Sequence, residues 1–91
     1  MAAVAVLVVL VLAAAVVLPS LVFAGDKVTI DQVPAPVRAT IEKETKGASI
    51  KEIERETQKG KKVYEVEYVR DNKQYEVHVA EDGKVLKHKK D

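Results

Sequence analysis

Residues 63–79 read VYEVEYVRDNKQYEVHV, two runs of alternating apolar and polar residues broken at Asp71-Asn72. Alternation with period two sends every second side chain to one face of a sheet, and a two-residue Asp-Asn break tolerates the positive φ angles of a tight hairpin. A helix is excluded, because a period of 3.6 would scatter these tyrosines and valines around its surface. The turn length also sets the register: Tyr68 faces Tyr75, Val66 faces Val77 and Tyr64 faces Val79. Every pair is apolar on both sides, and a slip of one residue would destroy the match.

The same grammar extends in both directions. Upstream, Ile53, Arg55 and Thr57 alternate with Glu52, Glu54 and Glu56. An even-length loop within Gln58-Lys59-Gly60-Lys61 places Ile53 opposite Val66, whereas an odd one would oppose it to Glu67. Downstream, Asp82-Gly83 reads as a second two-residue turn into a short strand over 84–87, with Val79 facing Leu86. One face then carries Ile53, Tyr64, Val66, Tyr68, Tyr75, Val77, Val79 and Leu86. A cover for it lies just before. Thr29 and Gln32 have capping-box spacing for one helical turn, and Pro34 and Pro36 suit the first turn of a helix, whose N–H groups have no internal partner. Val33, Val37 and Ile41 form an apolar stripe, and Gly47 supplies a left-handed stop. The expected fold is α+β: an N-terminal helix, with a short preceding helical turn, packed on one face of a four-stranded antiparallel meander.

All charged residues lie from Asp26 onward, so the front of the chain is a different material. Residues 2–18 are an unbroken apolar run, followed by Pro19-Ser20 and then Val22-Phe23-Ala24 before Gly25. Small residues at the end of such a run fit export with cleavage between Ala24 and Gly25, so 1–24 reads as a signal peptide and 25–91 as the domain. No Lys or Arg precedes the run, and it is long enough to span a bilayer, so an uncleaved membrane anchor is the alternative. The absence of cysteine excludes a disulfide framework, and the domain must be held by its core alone.

The register assigns the other sheet face as well. Glu52 opposes Glu67, Glu54 opposes Glu65, and Glu76 follows Glu67 on the next strand, while Lys87 and Lys89 lie across from His78 and Glu76. Val63, Ala80 and Val85 add a small apolar patch near one end. Like charges directly opposite each other cost stability, so Glu52, Glu54, Glu65, Glu67, Glu76, His78 and Lys87 are the candidate partner-binding residues. His78 is expected in solvent beside Glu65 and Lys87, and His88 at the rim of the opposite face. That separation argues against a metal site built from both histidines. No nucleophile and base are brought together and no glycine-rich phosphate loop occurs, so neither an enzyme nor a cofactor is expected. With 15 Lys+Arg against 14 Asp+Glu, nothing favours nucleic acid.

The segments QVPAPVRATIEKETKGASIKEIERE, KVYEVEY, KQYEVHV and EDGKVL together resemble the PepSY-like domain family, including its beta-lactamase-inhibitor-like branch. The matching positions are Pro34, Val37, Gly47, Ala48, Tyr64, Glu65, Val66, Asp82, Gly83 and Leu86, and the resemblance covers about residues 29–86. It implies a helix on a four-stranded antiparallel sheet, in a secreted, periplasmic or cell-envelope protein without catalytic residues. It also implies a protein partner, with peptidases the class that such domains restrain. The inhibitor-like branch resembles the unit of a two-unit inhibitor, whereas this chain has one, so weak binding or a homodimer is expected in place of tight inhibition. A structural envelope domain that senses a small ligand or metal is the alternative reading.

Overall fold

The computed structural model describes residues 22–91, with side chains from residue 25 onward. The apolar run of residues 2–18 and most of the expected signal peptide therefore lie outside the described residues. Among the described residues no helix is long and apolar enough to cross a membrane.

The described chain runs β1 (Val22–Lys27), a 3-10 turn (Ile30–Gln32), α1 (Ala35–Glu44), β2 (Ser49–Gln58), β3 (Lys61–Arg70), β4 (Lys73–Ala80) and β5 (Val85–Lys90). The strands form one antiparallel sheet in sequence order, with five members among the described residues in place of the four expected. The addition is β1, which pairs Val22 with Gln58 and Lys27 with Glu54. Its sequence lacks alternation, and a bulge between Phe23 and Asp26 shows why: the strand changes register around Gly25. A Cβ on Gly25 would lie 2.5 Å from the Arg55 carbonyl oxygen, so only glycine allows this approach to β2.

The central hairpins follow the expected register. Tyr68 pairs with Tyr75, Val66 with Val77 and Tyr64 with Val79, and Ile53 pairs with Val66 across a two-residue loop at Lys59-Gly60. Both tight turns adopt the left-handed backbone, with φ of 51° and 62° at Asp71 and Asn72 and of 51° and 79° at Lys59 and Gly60.

The last hairpin corrects the expectation. Ala80 N–H donates to the Lys84 carbonyl and Gly83 N–H to that of Ala80, so the loop spans three residues, 81–83. Val79 consequently faces Val85, not Leu86. The register shifts between His78 and Val79, leaving Leu86 as the extra residue and restoring the pairs His78 with Lys87, Val77 with His88 and Glu76 with Lys89. Leu86, expected in the core, is 52% exposed. β5 also continues to Lys90, beyond the expected 84–87.

Helix α1 covers the core face. Val33, Val37 and Ile41 are buried against Ile53, Tyr64, Val66, Tyr68, Val77 and Val79, with Tyr75 partly buried beside them. Burying side chains of this size contributes roughly 1.5–3 kcal/mol each. Polar contacts fix the helix ends. Arg38 donates to the carbonyls of Ile30 and Asp31, tying the 3-10 turn to α1, and Thr29 N–H donates to the Gln32 side chain as the capping spacing predicts. At the other end Arg70 of β3 donates to the free carbonyls of Glu44 and Lys46, satisfying acceptors that the helix leaves over. Thr40 donates to the Gly83 carbonyl, which seats the last hairpin on the helix.

Candidate functional site

With one face of the sheet under α1, no other element among the described residues covers the opposite face, called the uncovered face below, and the alternation delivers its side chains in rows. Glu52 pairs with Glu67, Glu54 with Glu65, Glu65 with His78, and Glu67 with Glu76, as the register predicts. Glu52, Glu54, Glu65, Glu67, Glu76 and His78 are all half-buried, crowded by one another, while Lys87 on β5 is exposed.

The crowding changes their chemistry. Burial pushes the Glu65 carboxyl up to about 8, aided by a hydrogen bond to Glu56 and by the charges of Glu56, Glu76 and Glu54. The Glu65 carboxyl thus keeps its proton near neutral pH. Glu54 is raised for the same first reason, burial, with Glu52 and Glu56 adding to it and the Gly25 N–H opposing. Glu76 goes the other way. Burial raises it, but the His78 hydrogen bond and the charges of Lys89, His78 and Lys87 outweigh burial and hold it below the ordinary carboxylate range.

Two placements differ from expectation. His78 is not in solvent: its Nε2 lies 2.6 Å from Glu76 Oε2 and 3.8 Å from Glu65 Oε2. Glu52 is not opposed by like charge alone, since Lys27 of β1 reaches it at 3.2 Å. Glu56 was outside the expected set, although it continues the alternation of Glu52 and Glu54. Its partner across the sheet is Val63, so a search for opposed charges passes over it. His88 sits on the core-face rim as expected, hydrogen-bonded to Tyr68 at 2.5 Å and 3.5 Å from Glu44.

At the end of the uncovered face near the Lys59-Gly60 turn lies a groove of about 950 Å³. Its lining includes Val63, Ala80 and Leu86, together with Lys59, Lys61, Lys62 and Lys84. Leu86 takes the place in this apolar patch that the sequence assigned to Val85, a direct result of the three-residue loop. The uncovered face therefore grades from a half-buried acidic field to an apolar floor edged by these lysines and by Glu81 and Asp82.

No curated protein and no solved structure matches the chain. Residues 35–89, more than half of it, match the family described as Peptidase propeptide and YPEB domain, PepSY. That span begins with α1, contains β2, β3 and β4, and ends within β5, while β1 precedes it. The protein belongs to the PepSY family.

Proposed function

We propose that this chain is an exported, non-enzymatic interaction module that binds another protein of the cell envelope through the uncovered face of its sheet. The observation that carries the reading is the row of half-buried, directly opposed carboxylates at Glu52/Glu67, Glu54/Glu65 and Glu67/Glu76. Where both members are charged, such a pair costs up to roughly 1 kcal/mol, an expense that folding alone does not require, because the core lies on the other face. A partner presenting lysine or arginine to this field removes the repulsion on docking, and an apolar anchor fits the groove at Val63, Ala80 and Leu86.

The family description names peptidase propeptides, which favours a peptidase as the partner and restraint of its activity as the outcome. An interface of standard size needs about 800 Å² from each partner, a large share of this one face, so binding by a single copy is weak or is reinforced by dimerisation. Export rests on the apolar run and on Val22 and Ala24 before Gly25. The mature chain then begins at Gly25, losing the Val22 and Phe23 pairs of β1 and keeping those of Asp26 and Lys27, and intact mass from envelope fractions tests this: a chain beginning at Met1 would instead mean a membrane anchor.

Chemical crosslinking of the chain in its native envelope, with mass spectrometry of the captured proteins, tests the partner. Recovery of one envelope protein, lost when Glu54 and Glu67 are both changed to lysine, is expected. Recovery of this chain alone would overturn the hetero-partner reading.

A further inference from the structure

We propose that Glu65, Glu76 and His78 form a binding site for one zinc-class divalent cation on the uncovered face. The ligand atoms of these three side chains all lie within 4.8 Å of one another. His78 Nε2 is 2.6 Å from Glu76 Oε2 and 3.8 Å from Glu65 Oε2. Around a tetrahedral zinc with bonds of 2.0–2.2 Å, neighbouring ligand atoms stand about 3.4 Å apart. The two observed separations bracket that value, so small side-chain rotations reach it without moving the backbone.

The sheet makes the arrangement rigid. Glu65 and His78 are direct partners on the neighbouring inner strands β3 and β4, and Glu76 lies two residues from His78 on the same face. All three ligands thus come from below, and a fourth position points outward from the uncovered face. An ordinary cross-strand histidine and glutamate would form an ion pair and stop there. Here one imidazole stands within reach of two carboxylates, with Glu54 opposite Glu65 and Glu67 opposite Glu76. Lys87 and Lys89 pair with His78 and Glu76 on β5, but both are exposed and their ammonium groups can turn to solvent.

One imidazole nitrogen with two carboxylate oxygens suits zinc and its first-row neighbours. Calcium, which takes six to eight oxygens, is poorly served. The ligands bind a metal in their deprotonated forms, so affinity should fall as pH is lowered. This inference stands on the three side chains and does not depend on the protein-partner reading.

The test is calorimetric titration of the chelator-stripped full chain, in detergent, with zinc chloride, at two pH values. NMR of the two histidine rings accompanies it. One zinc per chain, weaker binding at the lower pH, and a shift of the His78 resonances with those of His88 unmoved are expected. His78→Gln and Glu76→Gln should each weaken binding by at least about tenfold. Glu65→Gln should do the same while keeping or raising the melting temperature without metal, which separates loss of the site from loss of the fold. His88→Gln should bind like the parent. Absence of binding at 1:1 stoichiometry, or binding that survives His78→Gln, overturns the proposal.

Discussion

Glu65 shows how one side chain can work against the fold that positions it. Its carboxyl titrates at about 8 in the folded chain against an ordinary value of 4.5, so between these values the folded state holds a proton that the unfolded state has lost. The contribution of Glu65 to stability is therefore fully present below about 4.5 and disappears as pH rises through 8. Glu76 opposes this trend: its carboxyl is lowered, so its contribution is present above the ordinary carboxylate range and is lost on acidification through its folded value. In metal-free buffer, thermal melts should show a higher Tm at pH 6 than at pH 9. Glu65→Gln should flatten that slope and stabilise the domain at pH 9 by on the order of 1 kcal/mol, the scale of a relieved like-charge pair. A Tm unchanged between pH 6 and pH 9 in the parent would contradict the crowding described for this face.

At the scale of elements, the most demanding point is the β4–β5 hairpin. Gly83 has φ of 92°, and a Cβ there would lie 2.7 Å from the Pro36 carbonyl oxygen at the start of α1. Backbone angle and close approach both require glycine, so Gly83→Ala should cost about 1–3 kcal/mol, read as a shift of the denaturation midpoint. It should also loosen α1 from the hairpin, because Thr40 donates to the Gly83 carbonyl, and amide exchange near Ala80 and Lys84 should rise.

The same hairpin marks where sequence reasoning reached its limit. The alternation in β2, β3 and β4 and the Asp71-Asn72 turn determine register by simple counting, and the helix stripe of Val33, Val37 and Ile41 is legible from its spacing. A loop of three rather than two residues at 81–83 is not legible, since Asp-Gly occurs in both and only the helix packed against Gly83 decides between them. Strand β1 was hidden for a different reason. Its residues read as the end of an export signal, and its bulge at Gly25 removes the period that identifies strands. The acidic row of the site could be read from register, but the tilt of His78 toward Glu76 and the part played by Glu56 depend on side-chain packing that period alone does not encode.

For the whole molecule, the arrangement separates two tasks by face. Helix α1 and the apolar rows of the sheet hold the domain together, and the far face carries charges that folding does not need. In the proposed function, this far face is where a partner docks. The most direct test places a photo-crosslinking residue either at Glu67, in the middle of the uncovered face, or at Glu42, exposed on α1, and compares the adducts formed in the native envelope. A discrete heterologous adduct from position 67 and none from position 42 is predicted. An adduct from position 42 with none from position 67 would place the interface on the helix and contradict the account.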